Sequence, residues 1–220
     1  MLSNTEENYL KALLYLTADE TGKKEAGTND LAVHLGLKPA TVNDMLKRLK
    51  EKAYVSYKKY GKISLTRTGR EIAVFVMRKH RLWETFLCEV LEFSWDEVHE
   101  VAEQLEHIQS DKLTERLDRF LNYPDYDPHG DPIPKPNGRM PPRATTLLSS
   151  VALYQSCTVA AVKDTSPVFL QYLEQLSIGI GTKIKVLEKI SFDSSMILQV
   201  GKGRITVSEK FANSLLVDGQ

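Results

Sequence analysis

A chain of 220 residues, 42% hydrophobic and 26% charged with no net charge, has the composition of a globular protein of one large domain or two to three small ones. No apolar stretch approaches a membrane span, the opening "MLSNTEENYLKALLYL" lacks the basic start of a signal peptide, and two distant cysteines, Cys88 and Cys157, argue against a disulfide framework; the expected place is a reducing cytoplasm. The zero net charge conceals two regions: residues 21–80 carry 14 Lys/Arg against 5 Asp/Glu, whereas residues 82–110 carry 8 acidic residues and no Lys or Arg, which points to polyanion binding in one and cation binding in the other.

Ser3 with Glu6, or Asn4 with Glu7, forms the capping box of a first helix whose apolar stripe is Leu10, Leu13 and Leu14. The polar run "ADETGKKEAGT" reads as a loop, after which Thr28 caps a short helix, "NDLAVHLGL", ended by Gly36 in the turn between two helices. "KPATVNDMLKRLKEKA" is the second helix of that pair, with Pro39 in its first turn. "YVSYKKYGKISLT" alternates and turns at Gly61, the pattern of a β-hairpin. Helix, helix–turn–helix and hairpin in this order make a winged helix. Thr66-Arg67-Thr68 opens a long helix through "GREIAVFVMRKHRLWETFLCEVL", followed by helices at "SWDEVHEVAEQLEHI" and "DKLTERLDRFL". The seven prolines of "NYPDYDPHGDPIPKPNGRMPPR" predict a wrapped loop ending in a linker. Residues 145–217 change to short strands at "CTVAAVKD", "KIKVLEKI", "MILQV" and "RITVS" with one helix at "PVFLQYLEQL", which predicts a small β-barrel.

Lys38, Pro39, Ala40, Thr41, Asn43, Asp44 and Lys47 occupy the first two turns of the second helix of the helix–turn–helix, the end that enters a major groove, with Thr28 at the start of the preceding helix. Thr41 and Asn43 suit base edges, Asn in particular adenine, while Lys38 and Lys47 suit phosphates. Lys58, Lys59 and Lys62 lie in or near the hairpin tip, where a wing touches the DNA backbone. Val42, Met45, Leu46 and Leu49 have core spacing. The competing reading is a basic surface helix, or a winged helix used for protein contacts; the surrounding charge favours DNA.

His99, Glu103, Glu106 and His107 stand at i, i+4, i+7 and i+8, an arc of roughly 100° on one face of a helix. Val98, Val101, Ala102, Leu105 and Ile108 take a different face. Imidazole with carboxylate suits a divalent transition metal; the plainer alternative is a solvated acidic face. His80 and Glu84 form a second pair at i, i+4, and two such clusters just after a winged helix are less expected by chance than one.

These features together resemble the diphtheria-toxin-repressor family of metal-dependent transcriptional repressors, over nearly the whole chain. The carriers are "TEENYLKALLYL", "VNDMLKRLKEKAYVSY", "LTRTGR" and, more specifically, "VMRKHRLWETFL", "VHEVAEQLEHIQSD" and "DPHGDPIP"; "FLQYLEQLSIGIGTKIKVLE" is similar to the SH3-like domain of the three-domain members. The resemblance implies a mostly α fold with a small β part: a winged helix–turn–helix DNA-binding domain (1–74), a helical metal-binding and dimerisation domain (75–141) and an SH3-like, FeoA-like β-barrel (142–220). It implies a homodimer that binds a palindromic double-stranded operator when loaded with metal, controls metal homeostasis, is no enzyme, and needs neither a membrane nor a small-molecule substrate. It implies a primary site of Asn8, Glu103, Glu106 and His107, and an ancillary site of His80, Glu84 and His99 with Asp164 as the candidate from the C-terminal domain. Glutamate at 103, where iron-sensing members carry cysteine, leans toward Mn²⁺ with Fe²⁺ as the alternative; Zn²⁺, Co²⁺, Ni²⁺ or Cd²⁺ are expected to bind in vitro. Two positions depart from the family: Asn8 stands where Asp or Met is usual, with Glu6 or Glu7 as possible substitutes, and Lys11 stands where two-domain manganese regulators hold a carboxylate.

Two further classes compete. A metallohydrolase would use the His/Glu cluster, but no H-E-x-x-H is present and no nucleophile sits beside a base. A winged-helix regulator whose barrel binds a small molecule or peptide would leave the His/Glu face merely solvated. Trp83 and Trp95 read as core or dimer-interface residues, His34 and His129 as structural, and Cys88 as a buried thiol; Ser166, Gln171 and Glu174 lie near Asp164 as substitutes for it.

Overall fold

The computed structural model describes residues 2–17, 25–58 and 62–219. The chain forms two compact units, one of Met1–His80, Leu105–Ser110 and Pro134–Arg139, the other of Arg81–Gln104, Asp111–Ile133 and Met140–Gln220.

In the first unit, helix α1 (Asn4–Leu16) starts at the Ser3 capping box: the Ser3 hydroxyl accepts the Glu6 N–H and the Glu6 carboxylate accepts the Ser3 N–H. Strand β1 (Ala26–Gly27) precedes helix α2 (Thr28–Leu35). Thr28 is therefore not the cap that its chemistry suggested. Gly27, held extended by its pairing in the sheet, takes that position, and the Asp30 carboxylate accepts its N–H at 3.1 Å. Gly36 closes α2 in the left-handed conformation at φ +65°, where a side chain is disfavoured. Helix α3 (Pro39–Glu51) follows with Pro39 in its first turn. Strands β2 (Val55–Lys58) and β3 (Lys62–Leu65) pair antiparallel from Val55↔Leu65 to Lys58↔Lys62, and the sheet order is β1-β3-β2. The predicted turn at Gly61 and the wing residue Lys59 lie outside the described residues. Leu10, Leu13, Leu31, Leu46, Leu49 and Ile63 are fully buried in one core, each stabilising the unit by about 1.5–3 kcal/mol.

Helix α4 (Arg67–Leu91) begins where the Thr66 hydroxyl accepts the Gly69 N–H. A Cβ on Gly69 would lie 2.0 Å from the Tyr54 carbonyl oxygen, so only glycine allows this entry against the hairpin. The second unit takes the rest of α4, most of helix α5 (Val98–Leu105) and all of helix α6 (Asp111–Phe120). Leu82, Leu117 and Ile133 are buried together with Trp83, Phe86 and Leu121 against them. A six-stranded antiparallel sheet completes it: β4 (Thr146–Leu147), β5 (Ser156–Val162), β6 (Lys183–Lys189), β7 (Met196–Val200), β8 (Gly203–Val207) and β9 (Leu215–Gly219), in the order β4-β9-β5-β6-β7-β8. Helices α7 (Pro167–Gln175) and α8 (Glu209–Asn213) lie in the same part of the chain, and Trp95 packs on the sheet core. No helix among the described residues is long and apolar enough to cross a membrane.

The end of α5 corrects the sequence-based picture. Its apolar periodicity runs on to Ile108, but the helix stops at Leu105 and the Ile108 N–H bonds the Leu105 carbonyl in a tight turn. Glu106 and His107 therefore sit in that turn, not on one helix face with His99 and Glu103. In that turn both side chains make buried polar contacts, Glu106 with Lys11 and His80 and His107 with Glu7, and the i→i+3 bond tightens the chain as it leaves the helix.

Candidate functional site

Starting α1 at Ser3 places Glu7, Asn8 and Lys11 on neighbouring turns, and the turn after α5 brings Glu106 and His107 to them within the first unit. Glu106 is fully buried. Its Oε2 accepts Lys11 Nζ at 2.7 Å and His80 Nδ1 at 2.6 Å. Its Oε1 is buried without a hydrogen-bond partner among the described residues, with His107 Nε2 at 3.7 Å. His107 Nδ1 donates to Glu7 Oε2 at 2.6 Å, and Glu7 is itself held by Gln109 Nε2 at 2.8 Å. With the proton on Nδ1, the lone pair of His107 is on Nε2, the nitrogen nearer Glu106; such carboxylate–histidine pairs orient metal ligands. Asn8 Oδ1 is a second buried acceptor with no hydrogen bond among the described residues.

Leaving such acceptors unsatisfied costs about 1–3 kcal/mol each. Two hard oxygens and an imidazole nitrogen are a donor set that fits a divalent cation. Glu7, weighed in the sequence as a substitute ligand, is the orienter of His107 in this arrangement. Glu6 is engaged elsewhere: burial pushes its carboxyl up, but bonds from Lys52 at 2.7 Å and from Ser3 outweigh that and hold it below the ordinary range.

In the second unit, His99 Nδ1 lies 3.1 Å from Glu84 Oε1 and its Nε2 3.7 Å from Glu103 Oε1. Glu84, Asp127 and His129 form a buried group whose ligand atoms all lie within 4.8 Å of one another. His129 Nε2 faces the Trp95 carbonyl at 3.2 Å, which directs Nδ1 toward Glu84 Oε2 at 3.9 Å. Asp127 Oδ1 accepts the His129 and Asp131 N–H groups, and Arg81 Nε stands 3.7 Å from its Oδ2. Burial, with Glu84 and Asp131 beside it, pushes the Asp127 carboxyl well above the usual range, against the opposing pull of Arg81. A cation would relieve that crowding.

Asp127 and His129 are ligand-type residues that the sequence does not single out, His129 reading there as structural; their signal is "DPHG" in a proline-rich loop with no periodicity. Asp164 is engaged locally: its carboxylate accepts the Ser166 N–H at 3.0 Å, and the Ser166 side chain first, with that N–H and Lys210 after it, holds the carboxyl below the ordinary range against the opposing effect of burial. Gln171 Nε2 donates to Asp96 Oδ2 at 2.7 Å. Cys88 and Cys157 are free thiols that burial pushes up, and so poor ligands.

On the helix–turn–helix, Val42, Leu46 and Leu49 bury one face of α3, while Lys38, Pro39, Ala40, Thr41, Asn43, Asp44 and Lys47 are all exposed. Thr28 is half-buried, and its hydroxyl reaches Asn43 Oδ1 at 3.4 Å. Lys47 pairs with Asp44 at 3.1 Å, both open to solvent. Lys62 is exposed at the start of β3; Lys58 ends β2.

Comparison with known proteins places this arrangement. The profile of the iron dependent repressor N-terminal DNA binding domain matches residues 1–63. That of the iron dependent repressor metal binding and dimerisation domain matches residues 66–135, and the FeoA domain matches residues 146–218. Iron-dependent repressor IdeR of Mycobacterium tuberculosis is 34% identical over 133 residues, 60% of this chain and 56% of IdeR, so the chain spans about half the length of that curated relative. The diphtheria toxin repressor of Corynebacterium diphtheriae is 26% identical over 99% of this chain and 94% of its own. A solved manganese-dependent transcriptional repressor in complex with manganese is 32% identical, covers 98% of this chain and 100% of its own, and superposes with a TM-score of 0.86. An exposed helix–turn–helix face, carboxylate–imidazole clusters with unsatisfied oxygens and this agreement along the full chain have one reading: the chain belongs to the diphtheria-toxin-repressor family of iron- and manganese-dependent transcriptional repressors.

Proposed function

We propose that this chain is a repressor that binds palindromic operator DNA as a homodimer when loaded with Mn²⁺, with Fe²⁺ as the alternative, and so controls genes of metal homeostasis. The observation that carries the reading is the pair of unsatisfied buried oxygens, Asn8 Oδ1 and Glu106 Oε1, with His107 Nε2 3.7 Å from the latter. Asn8, Glu106 and His107 are the proposed ligands in the first unit, with Glu103 the fourth member of the family's primary set. His80, Glu84 and His99 are the proposed ancillary ligands; Asp127 and His129 join Glu84 as a further candidate group, and Asp164 is a weaker candidate. The donors are oxygens and imidazoles with no thiolate, which favours Mn²⁺ over softer ions.

When bound, the metal supplies positive charge to buried carboxylates. Asn8 on α1 and the Glu106–His107 turn are the elements it would join, and α1 packs against α2 of the helix–turn–helix. Such a link biases DNA binding only if metal affinity differs between DNA-competent and other states. The family's dimerisation domain, together with exposed Val90, Leu91, Leu113 and Phe120 within residues 66–135, supports a homodimer.

Selection of bound duplexes from a random-sequence pool tests the reading. An inverted repeat should be enriched with Mn²⁺ and lost with EDTA. Equal enrichment under both conditions would favour the metal-independent winged-helix regulator instead.

The exposed face of α3 makes a separable expectation. Lys47→Gln should weaken binding to all duplexes by a similar factor and lower the slope of log K against log salt by about 1. Asn43→Ala should instead change which base is preferred, at about 1–3 kcal/mol of discrimination. Fluorescence anisotropy on the selected duplex and its single-base variants, across a salt series, distinguishes the two.

A further inference from the structure

We infer that Lys11 is a resident counter-ion of the first-unit metal site and sets the metal concentration at which it fills; this inference rests on the metal-sensor reading above. Glu106 has no exposed surface, and a carboxylate so buried needs compensating charge. Lys11 supplies it: Nζ reaches Glu106 Oε2 at 2.7 Å, and the Lys11 side chain is only 15% exposed. The position follows from α1 itself, because Lys11 stands one turn after Glu7 and Asn8, so the helix that offers a ligand oxygen also carries a cation into the same pocket. His80 Nδ1 shares Oε2, whereas Oε1 stays without a hydrogen bond.

Lys11 already partly neutralises the charge of Glu106. A divalent ion held by Glu106 would have to share the carboxylate with the ammonium or displace it, and either way the attraction available to the ion would be reduced. The reduction acts through charge, not ligand softness, so it lowers affinity for different divalent ions by a similar factor. Lys11 thus raises the filling threshold and leaves the order of metal preference to the ligands. It also balances the buried charge of Glu106 when no metal is bound.

Isothermal titration of the full chain with Mn²⁺ alone, repeated with Cd²⁺, tests this on wild type, Lys11→Met, Lys11→Gln and Lys11→Arg. Methionine keeps the apolar stem, glutamine is a second uncharged replacement, and arginine keeps the charge. Removal of one unit charge a few ångströms from a dication in partly buried surroundings should tighten the first-unit site by at least about tenfold. The factor should be similar for Mn²⁺ and Cd²⁺ in both uncharged variants, and arginine should restore wild-type affinity. The metal-free uncharged variants should melt below wild type, and the Mn²⁺-saturated ones should not. A lysine with a merely structural role would give the reverse sign, weaker binding together with a lower melting temperature in both states. Unchanged or weaker Mn²⁺ affinity in Lys11→Met and Lys11→Gln overturns the counter-ion role while wild-type binding stands. Absence of saturable Mn²⁺ binding by wild type overturns the sensor reading and this inference with it.

Discussion

Glu106→Gln should lower Mn²⁺ affinity at the first-unit site by at least about a hundredfold, roughly 2.7 kcal/mol, and abolish metal-dependent binding to the selected duplex. The amide keeps the shape and one acceptor but removes the charge that a hard cation needs, and it presents an N–H₂ group either to the ion or to His80. The fold should persist. The partner left behind, Lys11, retains a path to solvent at 15% side-chain exposure, so the loss of the pair should cost about 1–2 kcal/mol and not the larger amount of a stranded charge. His107→Ala should give the same loss of metal response by removing the imidazole that Glu7 orients. Titration calorimetry with Mn²⁺, thermal melts of the metal-free proteins and anisotropy with and without Mn²⁺ measure the three parts separately. A Glu106→Gln variant with full metal response would overturn the assignment of this site. The contrast with Lys11 is diagnostic, since opposite substitutions in one buried pair should move metal affinity in opposite directions.

The parts of the fold that were legible in the sequence are those where a local rule and the tertiary structure agree. Ser3 and Glu6 cap α1 by their own side chains, Gly36 takes the left-handed turn that only a small residue adopts readily, and the stripe Val42, Leu46, Leu49 buries one face of α3 and leaves the other exposed. Illegible were the places where long-range contacts override a local pattern. Nothing in "AEQLEHIQSD" is a helix breaker, so periodicity runs past Leu105, and the contacts that Glu106 and His107 make there come from distant parts of the chain, Lys11, His80 and Glu7. Strand β1 has two residues and no period to detect, and its pairing with β3 moves the start of α2 to Thr28. Strands β4 and β9 and the short helix α8 went unread for similar reasons: each is brief, and its partner lies far along the chain or its cap depends on context. The candidate site divides the same way. His80, Glu84, His99, Glu106 and His107 were visible as clusters of ligand-type residues. Asp127 and His129 were not, because their convergence on Glu84 depends on the path of a proline-rich loop.

That path depends on Gly130, and Gly130→Ala should be the most damaging small substitution in the second unit. Gly130 has φ +84°, a conformation that alanine adopts at a penalty of roughly 1–2 kcal/mol. A Cβ there would also lie 2.1 Å from the Ala160 carbonyl oxygen and 2.6 Å from Ala161 Cα, both on β5. Backbone meets backbone, so no rotamer relieves the overlap and the loop or the strand must move. The loop is fastened at this point, with the Val162 N–H donating to the His129 carbonyl at 2.9 Å and the Gly130 N–H to the Asp127 carbonyl at 3.0 Å. Displacing it therefore moves the backbone that carries both Asp127 and His129. The expected loss is about 3 kcal/mol or more, seen as a lower melting temperature of the metal-free protein. If Glu84, Asp127 and His129 hold metal, the variant should also lose that Mn²⁺ equivalent in titration while the Glu106–His107 site, on other segments of the chain, still binds. Loss of stability with both equivalents retained would make this loop a structural strap and return His129 to the structural role that the sequence alone assigned it.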